Sequence, residues 1–397
     1  MTPVAHVAAA VEILDAIREG TSSEVCLRRW ARRNRFAGSH DRAAIRDLVF
    51  DALRCRRSLA WMGGAEDGRG LMIGHLRKSG IDPGEVFTGT GHAPDPLSER
   101  ESRTARRLEE ATSAVRLDCP DWLWPQMADS LGDDAEPILA LMQFRAPVFL
   151  RVNSARTDLA AAQMELASDG IETDRHPLCG TALEVTGNAR RVRQGKAFRT
   201  GLVDLQDVAS QAVVESLLPY ARGRRVLDYC AGGGGKALAL AAGGAGTVTA
   251  HDSDVSRMAD IPVRAKRSGV PIDVTDVPQG EFDIVLCDVP CSGTGAWRRR
   301  PEAKWALSAD RLAELCHLQD QIFDEASRFV APGGALAFST CSLLNIENED
   351  RVDAFLKRQG NWRRFRSRRF TPLDGGDGFF LALLDRNGER QDAEPGP

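Results

Sequence analysis

Nowhere in the chain do about 18 uncharged apolar residues run together, so no membrane-spanning helix is expected. The opening residues, Met1-Thr-Pro-Val-Ala-His6, carry no basic cluster and lead into no long apolar stretch, so no export signal is expected either. Among nine cysteines (26, 55, 119, 179, 230, 287, 291, 316 and 341) there is no CxxC pair. An odd count without an export signal points to reduced thiols in a cytoplasmic protein. No histidine stands at ligand spacing from paired thiols, so no metal site is expected. An excess of charge is missing too. With 52 Lys+Arg against 56 Asp+Glu the net charge is −4, and bulk basicity does not advertise nucleic acid.

A length of 397 residues implies two or three domains of about 100–200 residues, and 43% hydrophobic content allows sizeable cores. Residues 4–62 read as helices. Val7, Val11, Leu14 and Ile17 keep one apolar face that Gly20 stops, and a second helical stretch covers Ser22 to Arg35. Ser39-His-Asp41 caps a third helix, on which Ala44, Leu48, Ala52 and Leu53 recur. Eleven arginines oppose seven acids over residues 1–62, which fits either a solvated bundle or an RNA-facing surface. Within it, Arg42-Ala-Ala-Ile-Arg-Asp-Leu-Val-Phe-Asp-Ala-Leu-Arg54 resembles the helical domain of NusB, an RNA-binding antitermination factor. Residues 63–102, rich in Gly, Pro and acids with weak helical pieces such as Leu71 to Lys78, read as a loose end and connector.

From Pro120 onward a small α+β module is expected, with strands at 149–153 and 183–185 and a helix at 158–169. Arg190 and Arg191 open a run to Arg199 that has five positive charges and no acid, a solvated face or a track for phosphates. Beyond Val203, short apolar runs at 225–230, 247–252, 271–276, 284–287, 335–341 and 379–384 alternate with helical patterns. That alternation predicts a doubly wound, mostly parallel sheet with helices on both faces. The expected organisation is a helical domain with linker (1–118), a small α+β module (119–200), a Rossmann-like catalytic domain (201–386) and a disordered tail (387–397).

After the first strand of that domain, ending in Asp228, come Cys230, Ala231, Gly232, Gly233, Gly234, Gly235 and Lys236. Such a turn lets a ligand approach the backbone and presents N–H groups at a helix start. The phosphate-loop spacing GxxxxGK[ST] fails, because Ala237 follows Lys236 and Cys230 stands where a glycine is required. The dinucleotide fingerprint is not cleanly met. What remains is the glycine turn and Asp252 ending the second strand, where an acid suits a ribose hydroxyl pair. This fits S-adenosyl-L-methionine better than a nucleotide triphosphate, with tight packing alone as the rival reading.

The most conspicuous stretch runs from Phe282 to Trp305. Its strand breaks at Asp288-Val-Pro290 and leads into Cys291-Ser-Gly-Thr-Gly295, then Arg298, Arg299, Arg300 and Lys304. Asp288 and Cys291 therefore lie just past the carboxyl end of a strand, where open α/β sheets bind ligands. Cys341 ends the next strand, and neighbouring parallel strands would bring both thiols to one edge. Cys287 sits inside its strand and reads as core. Two thiols beside a methyl donor suggest a pyrimidine carbon 5, which is a poor nucleophile until a thiolate adds to carbon 6. A second thiol would then assist release.

Together these residues resemble the RsmB-type (Nop/Sun) RNA cytosine-5 methyltransferases. The resemblance rests on Asp288-Val-Pro-Cys-Ser-Gly-Thr-Gly295, Arg299-Arg-Pro-Glu302, Trp305, Ser339-Thr-Cys-Ser342, Glu347-Asn-Glu349 and Asp377-Gly-Phe-Phe380. It implies that Cys341 is the nucleophile, that Cys291 aids product release, and that Asp288 contacts cofactor and base. It implies that the 230–236 turn, Asp252, Asp276 and Asp288 hold S-adenosyl-L-methionine. The favoured substrate is small-subunit ribosomal RNA, with transfer RNA, or a non-catalytic RNA-binding assembly role, as alternatives; a monomer without metal or membrane is expected. RNA contacts are expected from Arg298, Arg299, Arg300 and Lys304, from Arg190 and Arg191, and from Arg363 and Arg364, the last two in a run from Lys357 to Arg369 with seven positive charges and interleaved Trp362 and Phe365. One departure stands out: the family's turn reads Cys-Ala-Ala-Pro-Gly-Gly-Lys, whereas Gly232 and Gly233 replace alanine and proline here, which predicts a more mobile turn.

Overall fold

The computed structural model describes residues 1–103 and 106–386, so the tail expected at 387–397 lies outside the described residues. The chain forms two compact units. One comprises Met1–Arg145 with Trp297–Leu307, the other Ala146–Ala296 with the chain from Ser308 onward. Among the described residues no helix is long and apolar enough to cross a membrane.

The first unit is all-helical. Helices Pro3–Arg18, Ser23–Arg33, Ser39–Arg54, Arg56–Gly63 and Gly68–Lys78 enclose Ala10, Ile13, Ile45, Val49, Leu59, Met72 and Ile73. Gly68–Lys78 is therefore core rather than connector, and its glycines are the reason. A Cβ at Gly74 would lie 2.0 Å from the Leu59 carbonyl oxygen, and one at Gly63 would lie 1.8 Å from that of Gly70. Small residues let the two helices touch backbone to backbone, at some cost in helix propensity. The compact unit runs on through Trp124–Leu131 and Ala135–Met142 to Arg145. Gln143 Nε2 closes it by donating to Asp118 Oδ2 at 2.9 Å.

In the second unit a four-stranded antiparallel sheet comes first: β1 Val148–Val152, β2 Glu172–Arg175, β3 Ala182–Gly187 and β4 Val203–Leu205, in the order β2-β3-β1-β4. It packs its apolar face (Leu150, Val152, Leu183, Val203) on helix Leu159–Ser168 through Ala162 and Leu166. The large sheet follows, with β5 Arg225–Asp228, β6 Thr247–Ala250, β7 Asp273–Val274, β8 Phe282–Asp288, β9 Val330–Thr340, β10 Trp362–Phe370 and β11 Phe379–Arg386. Its order is β10-β11-β9-β8-β5-β6-β7, parallel from β5 to β9 and antiparallel at β10 and β11. The order reverses between β5 and β8, and such a switch point opens a crevice at the carboxyl ends of the strands.

Two strands differ from expectation. β7 has two residues rather than six, with Thr275 donating its N–H to the Ala250 carbonyl beyond it. β10 is the basic run itself, an edge strand whose Trp362 and Phe370 are buried while its arginines face outward. Charge on an edge strand discourages pairing with another chain.

Candidate active site

Register decides where the chemistry sits. Asp288 of β8 pairs with Ser339 of β9, so Cys291, three residues on, and Cys341, two residues on, leave the sheet edge side by side. Their sulfurs are 3.4 Å apart. The hydrogen bond to Cys341, burial and the charge Cys341 carries when ionised all raise the pKa of the Cys291 thiol well above its ordinary value. Either sulfur can donate in this contact.

The loops carrying these thiols are fastened by a buried carboxylate. Glu347 is fully buried and accepts from Ser292 N at 2.8 Å, Ser342 Oγ at 2.5 Å, Gln319 Nε2 at 3.0 Å and the Ser292 hydroxyl. Asn348 adds a second tie, donating to the Ser342 carbonyl at 3.0 Å and accepting from Thr340 Oγ1 at 2.5 Å. Main-chain bonds complete it: Gly295 N donates to the Cys341 carbonyl at 2.9 Å and Leu343 N to Thr294 Oγ1 at 2.8 Å.

On the other side of the crevice, Lys236 is buried and its Nζ donates to Asp288 Oδ2 at 2.6 Å. Burial opposes its charge, but Asp288 and Asp228 outweigh that and raise its pKa. The ammonium also lies 4.8 Å from the Phe379 ring centre. Asp228, at the end of β5, is 1% exposed and neither carboxylate oxygen has a hydrogen-bond partner. Burial, then Asp288, push its pKa from 3.8 to about 7, with Lys236 pulling the other way. Gly232 (φ +49°) and Gly234 (φ +77°) adopt left-handed conformations, and a Cβ at Gly234 would meet Ile261 at 2.8 Å. Asp252, 2% exposed at the end of β6, accepts from Gly232 N at 3.0 Å and pairs with Arg257 at 3.0 Å.

This half of the crevice suits S-adenosyl-L-methionine. An orphaned buried carboxylate complements its positive charge, a glycine turn admits a close approach, and a fixed acid after β6 can accept from a ribose. Cys230 is half-buried, with burial and then Cys287 raising its thiol pKa well above the ordinary value. Asp276 is exposed two residues beyond β7. Among the described residues no cluster of His, Cys, Asp or Glu could hold a metal ion.

Residues 215–385 match the family described as 16S rRNA methyltransferase RsmB/F, and residues 119–191 match the ferredoxin-like domain of RsmF/B-like methyltransferases. Ribosomal RNA small subunit methyltransferase B of Xanthomonas campestris pv. campestris is 35% identical over 305 residues, covering 70% of this chain and 69% of its own. Its namesake from Xylella fastidiosa strain Temecula1 is 34% identical over 387 residues, covering 87% and 89%. The chain belongs to the RsmB/F family. It is thus an S-adenosylmethionine-dependent RNA cytosine-5 methyltransferase. Solved structures share the fold: PH0851 superimposes with a TM-score of 0.76 at 23% identity, covering 97% of this chain and 99% of that one. NSun6 from Pyrococcus horikoshii with SFG does so at 0.60 and 18%, covering 69% and 99%.

For this RsmB/F chain two of the expected RNA contacts are corrected. Arg298 and Lys304 are 7% and 3% exposed within the helical unit. Arg298 Nη2 donates to the Arg145 carbonyl at 3.2 Å, and Lys304 Nζ to that of Arg54 at 2.9 Å. Burial lowers the Lys304 pKa even though Asp118 opposes this. Both charges are used inside, anchoring Trp297–Leu307, while Arg299 and Arg300 are exposed. Arg190 and Arg191 are exposed on a short 3-10 turn, Arg363 pairs with Asp385 at 2.8 Å, and Arg364 lies 3.6 Å from Asp353. Glu347 entered the resemblance through Glu347-Asn-Glu349, but its role in fastening the two cysteine loops was not read from the sequence. Sequence reasoning also missed Arg257 and Arg264, which reach the glycine turn from the following helical segment; Arg264 donates to the Gly233 carbonyl and to Asp204 at 2.7 Å.

Proposed function

We propose that the chain methylates carbon 5 of a cytosine in small-subunit ribosomal RNA, with Cys341 as nucleophile and Cys291 as the thiol that allows release. The observation that carries this reading is the 3.4 Å contact between the two sulfurs beyond the ends of adjacent parallel strands. Cys341 as thiolate adds to carbon 6, which makes carbon 5 enamine-like and able to attack a methyl group. S-adenosyl-L-methionine supplies that methyl. Asp288, tethered by Lys236, orients the base, and Asp228, Gly232–Gly235 and Asp252 seat the cofactor.

The adduct itself changes Cys291. Once Cys341 is bonded to carbon 6, its negative charge and its demand for a hydrogen bond are gone, and these are two of the three main causes that hold the Cys291 pKa up. Cys291 can then lose its proton to solvent and take the proton from carbon 5 as the Cys341–carbon bond breaks. In this reading the helical domain (1–118) and α+β module (119–200) grip RNA while 201–386 perform transfer. The small-subunit target is supported by the relatives named ribosomal RNA small subunit methyltransferase B.

Single replacements test the assignment on transcribed small-subunit RNA with radiolabelled methyl donor. Cys341→Ala should abolish transfer and form no adduct. Cys291→Ala should accumulate a covalent protein–RNA complex that survives denaturing electrophoresis. A complex in Cys341→Ala instead would reverse the two roles, and transfer retained by Cys341→Ala would sink the mechanism.

A further inference from the structure

The helical unit carries a groove of about 580 Å³ that no step of the reaction uses, within the roughly 300–1,000 Å³ usual for ligand sites. Trp61 and Trp305 lie on its wall, and each indole is fixed at its edge by a main-chain carbonyl. Trp61 Nε1 donates to Arg107 at 3.0 Å and Trp305 Nε1 to Leu53 at 2.6 Å. A cation lies over each ring, and at Trp305 the Lys304 ammonium is 4.6 Å from the ring centre. Arg106 is 4.9 Å from the Trp61 ring centre and Arg56 is 5.7 Å from that of Trp305. Arg57 is committed to the wall by Asp121 at 2.6 Å. The acid nearest Arg56, Glu66, is 74% exposed and only comes within 3.5 Å.

We propose that this groove binds single-stranded RNA, with unstacked bases over the Trp61 and Trp305 rings and phosphates at Arg56 and Arg106. Indole faces accept any base, and guanidiniums beside them neutralise the backbone between successive bases. The inference rests on RNA being the substrate, and it moves the RNA contact of the 297–307 segment from Arg298 and Lys304, which are buried, to Trp305. An acidic protein segment would satisfy the arginines but would bring no planar group of its own to stack beside the two rings.

The test uses the full chain and a short fluorescent single-stranded oligoribonucleotide, titrated across a salt series. Arg56→Glu/Arg106→Glu should weaken binding at least about tenfold and reduce the salt slope by about 1.4, at ~0.7 per lost phosphate contact. Arg56→Lys/Arg106→Lys should recover most of the loss. Trp61→Phe, which keeps a ring, should stay within about threefold, whereas Trp61→Ala should lose roughly tenfold. If the charge-reversed variant binds RNA as tightly as the unaltered chain, the groove is not an RNA site. Unchanged RNA binding together with lost binding of a poly-glutamate peptide would give the groove to an acidic protein and overturn the proposal equally. Methyl transfer by the unaltered chain is followed alongside: its absence would count against the proposed function, whereas a failed groove leaves it standing.

Discussion

Between Pro290 and Gly295, and again between Cys341 and Asn348, side chains hold the chain in place: Glu347 alone joins Ser292, Ser342 and Gln319. Between Cys230 and Gly234 there are almost none. That turn is held by the Asp252 carboxylate, which accepts from Gly232 N, by the main-chain bonds of Gly234 N to Ala231 and Ala231 N to His251, and by an arginine reaching in from outside. One rim of the crevice is thus rigid and carries the atoms that must meet within a bond length. The other has fewer side-chain ties and carries the atoms that face a ligand. Positioning of reacting groups tolerates errors of only about 1 Å before rates fall by ~10²-fold, so the expense of a buried carboxylate falls on the thiol side.

Breaking the rigid rim should have the largest effect. Glu347→Ala removes a shared acceptor from four buried donors, of which Gln319 Nε2 keeps the Pro290 carbonyl, at about 1–3 kcal/mol for each one left unpaired that water cannot reach. A loss of roughly 2–4 kcal/mol in denaturant unfolding is expected, with transfer reduced by about 10²-fold and adduct formation falling in parallel. Glu347→Gln retains volume and one acceptor and should fall between. If Glu347→Ala unfolds less easily than expected but still forms adduct at the normal rate, the thiols do not depend on this fastening.

The sequence shows part of this contrast and hides part. β5, β6, β8 and β9 are legible because buried parallel strands read as continuous apolar runs, and the paired thiols follow from their adjacency. β10 is not, since its arginines hide the alternation and a register shift between Arg364 and Arg366 breaks its period. Gly68–Lys78 looks weak for the same glycines that let it pack closely. Arg298, Lys304 and Glu347 share another difficulty. A charged residue in a polar stretch reads as solvated, and only three-dimensional neighbours reveal carbonyls and hydroxyls that satisfy it inside.

Asp228 lies between the two rims and supplies the second prediction. Its folded pKa of about 7 stands above the unfolded 3.8, so the native state binds the extra proton between those values. Stability contributed by Asp228 is then complete below about pH 4 and lost as pH rises through 7. Asp228→Asn cannot ionise. Its stability relative to the unaltered chain should rise between pH 4 and pH 8 by roughly 1–3 kcal/mol, since each pKa unit is worth about 1.36 kcal/mol. Paired urea denaturation at the two pH values measures this, and a difference that stays flat would mean that Asp228 is solvated or paired.

The smallest effect should come from stiffening the glycine rim. Gly233 is not among the glycines with positive φ, and a Cβ there would meet nothing closer than an arginine nitrogen at 3.5 Å. Alanine therefore fits the turn as it stands, and proline fits where φ at this position is about −65°. Either removes conformations from the free chain, an effect worth about 0.4–1 kcal/mol where the geometry is compatible. If the turn closes on S-adenosyl-L-methionine without changing shape, Gly233→Ala and Gly233→Pro should bind it about two- to fivefold more tightly by calorimetry. Weaker binding by both variants would show that the turn must rearrange to receive the cofactor, and that its glycines are used for motion. Weakening by proline alone would locate the constraint at Gly232, because proline restricts the residue before it and Gly232 stands at φ +49°. The freedom of this rim would then reside in a single left-handed residue.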